Sequence, residues 1–252
     1  MATGASAVSV AMALALLGFL LALAPAAEPP LRAANVARAI SVTVRAAGIY
    51  GAGVLVDPAH GWVLTASHVL EGVDGPVWVV LPDGARVPAE RGEADADLDL
   101  EVLSIPRRPG APPALGSIAT LPPGAQLVAV GCRRGQPFTL GVGRATLVGR
   151  PVMGSLYLET DLPLDEGDSG GPVVDASGRL VGLVGYLLRG AERINFALPV
   201  DYAVERFPWL FPEIQGREGY LVGFSEWRER RWLAAAASPA LPLAPARKIA
   251  AH

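Results

Sequence analysis

Ser169 stands in "DEGDSGGPVVD", with Gly167, Gly170 and Gly171 around it. A serine that attacks a carbonyl needs a tight turn that exposes its hydroxyl. It also needs free backbone N–H groups close by to hold an oxyanion. Glycine permits both, because it has no Cβ to obstruct a strained backbone or a close substrate. An ordinary glycine-rich hairpin turn would have the same composition. Such a serine also needs a base, and histidine is the commonest one. There are three histidines. His60 lies in the turn "DPAHG" and reads as a solvent-exposed loop residue, and His252 is the last residue. His68 follows an apolar run in "GWVLTASHVLEG", where a strand end can hold it rigidly beside a cleft. The third requirement is a carboxylate to orient the imidazole. The stretch "ADADLDLEVLSIP" offers Asp95, Asp97 and Asp99 at alternate positions.

The segment "GDSGG" also fits G-x-S-x-G, the nucleophile elbow of α/β-hydrolases. That reading fails twice. The elbow runs from strand into helix, whereas "GGPVVDASGRLVG" runs into a β-hairpin. The hydrolase order is Ser, acid, His, and only the terminal His252 follows Ser169. The order found, His68 before an acid before Ser169, is the one used by two-barrel proteases.

The elements that would position these residues are short strands. Apolar or alternating runs are separated by "DPAHG", "LPDGA", "RRPGAPP", "LPPGA", "RRGQP" and "DASGR". Candidate strands fall near 38–46, 50–56, 62–66, 77–81, 85–92 and 99–105. After the connector "PRRPGAPPALGS", a second set falls near 126–131, 138–148, 155–161, 171–175, 179–188 and 193–198. Two groups of about six predict an all-β fold of two six-stranded antiparallel barrels, one over about 35–106 and one over about 120–200. No helix is expected before "PVDYAVERF", near residue 200. From Phe207 the strand rhythm stops. "FSEWRERRWL" predicts a short C-terminal helix packed back on the barrel, and the Ala/Pro-rich end of 207–252 reads as partly disordered. A membrane-surface or partner contact is the lesser reading of that helix.

Residues 1–27 carry no charge, and 5–27 are almost wholly apolar. Segment 1–30 therefore reads as a signal peptide cut near Ala26 or Ala27, or as an N-terminal membrane anchor. Both readings place the remainder outside the cytoplasm, periplasmic or secreted. Through 5–27 the chain would associate with the inner membrane. A net charge of −3 excludes nucleic acid as an expected partner. One cysteine, Cys132, rules out an internal disulfide. Scattered histidines and one cysteine give no metal-ligand spacing, and no phosphate loop or dinucleotide fingerprint occurs, so no metal or cofactor is expected.

With these residues in view, the chain resembles the chymotrypsin-fold (trypsin-like) serine proteases, and most of all their bacterial HtrA/Deg-type branch. The resemblance covers about 50–203 in five ordered segments. They are "YGAGVLVDPAHGWVLTASHVLEGVD", "LPDGARVPAERGEADADLDLEVLSI", "VAVGCRRGQPFTLGVG", "TDLPLDEGDSGGPVVDASGRLVGLVGY" and "INFALPVDYA". It implies a protease domain over 35–206. It implies that Ser169 attacks the carbonyl, that His68 is the general base and then the acid, and that an aspartate orients His68. It also implies that the N–H groups of Gly167 and Ser169 bind the oxyanion, with polypeptides as substrates.

The family's acid is followed by Leu or Ile, a small residue and two apolar ones. Asp99 opens "DLEVL", with only Glu101 out of place. Asp97 is the runner-up, and it would put Glu101 at a core position as an unpaired buried charge. Asp95 matches a turn aspartate that the family often carries. The pocket for the residue before the scissile bond falls on Pro163 or Leu164. Both are apolar, so small or medium apolar residues are expected there rather than Arg or Lys.

The chain departs from the branch in several places. No PDZ-type domain follows the protease segment. Asp168 precedes the serine where Asn is common. Digestive enzymes also carry this aspartate and pair it with an N-terminus freed by cleavage, but no clear cleavage site lies near residue 48. Cys132 and Arg133 stand where Asn and Pro are usual. The alternative function is a catalytically silent barrel that binds peptides or a partner. Such a module has no need of His68, Asp99 and Ser169 together.

Overall fold

The structure is a computed structural model that describes residues 31–188, 194–214, 218–237 and 247–248. The apolar segment 5–27, His252 and most of the Ala/Pro-rich end lie outside the described residues. Helix α1 (Leu31–Ile40) leads into a first barrel of β1 (Ser41–Ala46), β2 (Ile49–Asp57), β3 (Trp62–Thr65), β4 (Val77–Val80), β5 (Arg86–Asp95) and β6 (Leu100–Ser104). The six close in the order β1-β2-β3-β6-β5-β4. The second barrel contains β7 (Gln126–Gly131), β8 (Thr139–Val152), β9 (Ser155–Thr160), β10 (Pro172–Asp175), β11 (Leu180–Leu188) and β12 (Ile194–Pro199). Their order is β10-β7-β8-β9-β12-β11, and β10 pairs with β11 to close the ring. The two expected barrels are present, antiparallel throughout.

The near-continuous apolar runs of β2, β3 and β6 have a structural cause. Val63 and Leu103 point into the first barrel's core. Val54, Val56, Leu64, Leu100 and Val102 belong instead to the larger core that fills the second barrel and the seam. Strands buried on both faces lose the alternation seen in half-exposed strands. At the seam the end of β3, at Thr65 and Ala66, meets Gly170 of the second barrel, and His68 follows in the next turn.

Helix α1 corrects the expectation of no early helix. Its buried residues are Ala33, Ala37 and Ile40, one face at helical spacing. The candidate strand 38–46 had absorbed its last turn. The helix packs on β7 and β10 of the second barrel, so the strands of the first barrel begin at Ser41 and not near 35.

Helix α2 (Val200–Arg206) follows β12, and a longer α3 (Glu218–Ala237) follows two 3-10 turns. The tail helix packs back as expected, but it runs for 20 residues and is not short. Phe224 is buried against Tyr202, ring centroids 5.1 Å apart. Tyr220 donates to the Gly116 carbonyl at 2.7 Å, and Arg231 Nε donates to that of Val148 at 2.8 Å. Within the tail, Arg247 and Lys248 form a two-residue strand beside β11, where no strand was expected. Among the described residues no helix is long and apolar enough to cross a membrane.

Candidate active site

Three elements carry His68, Asp99 and Ser169, and the first two are bonded to each other. β3 ends at Thr65, and a 3-10 turn (Ser67–Leu70) carries His68. The β5–β6 hairpin carries Asp99 in its turn, one residue before β6. Ser169 sits in the turn before β10, and its carbonyl accepts the Ala52 N–H of β2 at 2.8 Å. That bond docks the serine turn of one barrel on a wall of the other. Gly170 lies so close to the Ala52 carbonyl and the Thr65 hydroxyl that a Cβ there would collide with both.

Asp99 is 4 % exposed, and one of its carboxylate oxygens, Oδ2, lies 2.6 Å from His68 Nδ1. The other, Oδ1, accepts the His68 N–H and the Ser67 hydroxyl, both at 2.9 Å. Burial works to raise the Asp99 pKa. The bonds and charge of His68, with the Ser67 hydroxyl, outweigh it and hold the carboxyl below its ordinary value. The backbone of Asp99 is left-handed, φ +57°, a conformation that aspartate tolerates better than most residues. A carboxylate fixed on Nδ1 favours the tautomer with the proton there and leaves Nε2 free to accept one. His68 Nε2 and Ser169 Oγ are both buried, and neither is bonded within the described chain. Such bonds are often loose in a free enzyme and tighten around substrate.

The other two acids have different surroundings. Asp95 caps the turn, accepting the N–H groups of Asp97 and Leu98 on Oδ1 and pairing with Arg206 on Oδ2. Asp97 is exposed. Residues 96–99 form a turn and not an extended strand, so the three acids share no common face. Glu101 corrects the reasoning about register. It is 1 % exposed even with Asp99 leading the strand, but it is not an unpaired charge. Arg91 Nε and one terminal nitrogen grip its two oxygens at 2.6 and 3.0 Å. His60 sits in its exposed turn, bonded to Asp57 at 2.6 Å.

The turn before the serine has an ordered pattern of N–H groups. Asp168 N–H donates to the Asp165 carbonyl at 3.1 Å and Gly171 N–H to the Asp168 carbonyl at 3.0 Å. The N–H groups of Gly167 and Ser169 donate to nothing else in the described chain. Gly167 has φ +89°, and a Cβ there would collide with the Cys132 carbonyl and meet Tyr50 at 2.8 Å. Pro163 and Leu164 are half-buried. The Pro163 ring would lie 3.5 Å from a Cβ on Gly141. The carbonyl of Leu162, beside both, is held by the buried amide of Asn195 at 2.5 Å. Sequence reasoning did not single out Asn195, which stands unremarked in the closing strand "INFALP".

Along the sequence, Asp168 and Arg133 stand 35 residues apart as separate departures. In the fold they form a pair, Arg133 Nε to Asp168 Oδ2 at 3.0 Å, and Asp168 is 1 % exposed. Burial pushes the Asp168 carboxyl up to about 6, against the pull of the Arg133 cation and the Asp165 N–H.

Known proteins resemble this chain in sequence and in fold. The trypsin-like peptidase domain matches residues 51–183. A probable periplasmic serine endoprotease DegP-like from Pseudomonas savastanoi pv. phaseolicola is 29 % identical over 161 residues, covering 62 % of this chain and 33 % of the relative. The putative serine protease HhoA from Synechocystis sp. is 32 % identical over 162 residues, covering 61 % and 41 % respectively. The chain thus spans roughly a third to two fifths of the curated relatives it matches. Among solved structures, the HtrA-type protease AlgW with tripeptide superposes with a TM-score of 0.66 at 28 % identity, covering 70 % of this chain and 61 % of that one.

Proposed function

Because the chain belongs to the trypsin-like peptidase family, we propose that it is a serine endopeptidase of HtrA type that acts outside the cytoplasm. The observation that carries this reading is the buried pair of His68 Nδ1 and Asp99 Oδ2 at 2.6 Å, with Nε2 and the Ser169 hydroxyl both uncommitted in the seam. Ser169 Oγ attacks the peptide carbonyl while His68 Nε2 takes its proton. Asp99 holds the imidazole and stabilises the cation that forms. The N–H groups of Gly167 and Ser169 receive the oxyanion. His68 then protonates the leaving amine, and water releases the acyl group by the same route in reverse. The peptide complexes of AlgW and the periplasmic names of the DegP-like relatives support polypeptide substrates and an extracytoplasmic site of action. The apolar segment 5–27 would deliver the chain there, as signal peptide or anchor. Pro163 and Leu164 would line an apolar pocket for the residue before the scissile bond.

A fluorophosphonate probe tests the mechanism. Wild type should be labelled on Ser169, and Ser169→Ala should not. A folded wild type that takes no label would support the silent barrel instead. With a peptide library, dominant cleavage after Arg or Lys would overturn the apolar pocket.

A further inference from the structure

The turn that would bind the oxyanion is gripped from one side by residues 132–135. Cys132 N–H donates to the Gly167 carbonyl at 3.1 Å, and Arg134 N–H donates to the Glu166 carbonyl at 2.8 Å. A trans peptide sets its C=O and N–H in opposite directions. Holding the Glu166 carbonyl toward the loop therefore turns the Gly167 N–H away from it. The side chains add to the grip. Arg133 pairs with the buried Asp168, and Arg134 Nε bonds Asp165 Oδ2 at 2.9 Å. Around the Asp168 carboxylate lie the Arg133 cation and the Asp165 N–H at 3.0 Å, both on Oδ2, with the Asp165 carboxylate, Cys132 and Gly131 nearby, and Oδ1 is buried without a hydrogen-bond partner among the described residues. Gly131 must lack a Cβ, because one there would collide with the Asp168 carboxylate. Arg134 adopts the left-handed region at φ +49°, which disfavours a non-glycine residue by about 1 kcal/mol. Strain of this kind persists where the surroundings over-determine the backbone.

We propose that Arg133 is a positioning residue for the oxyanion site. Its ion pair with Asp168 anchors the 132–135 loop, whose backbone bonds then fix the direction of the Gly167 N–H. The cation for Asp168 comes from within the second barrel, so this pairing requires no newly freed amino group. The inference rests on the hydrolase reading above. One terminal nitrogen of Arg133 would lie 3.6 Å from a Cβ on Gly141, on the side where Pro163 lies, and in this inference Arg133 acts on the oxyanion through the peptide planes of 166–168.

Three variants test it: Arg133→Gln, Arg133→Lys and the double variant Arg133→Gln/Asp168→Asn. The measurements are kcat and KM on a peptide substrate, the affinity of a peptide boronate, and the binding of a cleaved product peptide. Arg133→Gln should lower kcat by roughly 10²-fold, the usual effect of losing one oxyanion donor. KM should change little. Boronate affinity should fall in parallel with kcat, and product-peptide binding should hold. Arg133→Lys keeps the charge and should recover most of the loss. The double variant removes the buried unpaired charge and should fall between the Lys and Gln variants. A kcat for Arg133→Gln within threefold of wild type, or an effect on KM alone, would overturn the inference. If Arg133→Gln does not fold, the decisive comparison is Arg133→Lys against the double variant, and equal kcat values overturn it. A wild type that takes no fluorophosphonate overturns the hydrolase reading and this inference together. A labelled wild type with an unaffected Arg133→Gln overturns this inference alone.

Discussion

Replacing Asp99 by Asn keeps the shape of the site and reverses its proton. Oδ1 of Asp99 accepts two donors, the His68 N–H and the Ser67 hydroxyl. An amide at this position must therefore present its carbonyl there and its NH2 at the place of Oδ2. That NH2 faces His68 Nδ1, so Nδ1 becomes the acceptor and the proton moves to Nε2. Nε2 is then unable to take the Ser169 proton. The ion pair of the transition state is lost as well. Two unit charges at the 2.6 Å separation found here attract by about 6 kcal/mol at an effective dielectric of 20. At 1.36 kcal/mol per decade this corresponds to a loss of roughly 10⁴ in kcat, in line with the triad template. The assay is kcat on a peptide substrate, alongside the second-order rate of fluorophosphonate labelling. Thermal stability should change little, because the two bonds to Oδ1 survive. Asp97→Asn should leave kcat within twofold, since Asp97 is exposed. A folded Asp99→Asn enzyme within tenfold of wild type would refute the reasoning, as would an Asp97→Asn enzyme slower than it.

Gly170→Ala should be strongly destabilising. It forces a side chain onto φ +80° and into the Ala52 carbonyl, with Thr65 Oγ1 at 2.6 Å, so a loss of roughly 2–4 kcal/mol is expected from denaturant unfolding. An unchanged unfolding midpoint would show that the two barrels are not docked through this turn. The Asp168 carboxyl predicts a pH dependence of stability. Its folded pKa of about 6 lies above the unfolded value, so the native state binds the proton more tightly. Its contribution to stability is full below pH 4 and is lost as pH rises from about 4 to 6, by roughly 3 kcal/mol. Asp168→Asn should remove this slope and raise stability at pH 7, read from urea unfolding at several pH values. Retention of the slope would assign it elsewhere.

The strands were legible because a barrel imposes short runs split by turn residues. The order of His68, an acid and Ser169 was legible because it does not depend on fine register. Helix α1 was not legible, since two of its three buried residues are alanines, Ala33 and Ala37, and alanine gives little periodic contrast. Its third, Ile40, sits next to β1 and reads equally well as strand. Glu101 was misread for a related reason. A charge in a core strand looks like an error until its partner is known, and Arg91 lies on the neighbouring strand ten residues away. Along the chain, a buried Glu101 reads as costly, which favours Asp99 over Asp97. The fold buries Glu101 in either case and neutralises it, so the independent support for Asp99 is its bond to His68.

The same logic applies at the oxyanion turn. Asp168 and Arg133 each look like a departure when read along the chain, because each replaces a neutral residue with a charge. A carboxylate only 1 % exposed costs stability even beside Arg133, which is why burial raises its pKa to about 6, and without the cation the cost would be larger. Across a separation of 35 residues they meet at 3.0 Å. The two departures are therefore one feature, an ion pair between two loops. No pattern within either segment can show this, because the pairing exists only once β7 and the turn before β10 lie side by side. A pair of this kind holds the turn more directionally than a neutral contact, through one nitrogen and one oxygen of fixed geometry. It also makes the turn sensitive to whatever removes either charge. By the inference above, the aspartate that departs from the family pattern is the residue through which the serine turn is anchored.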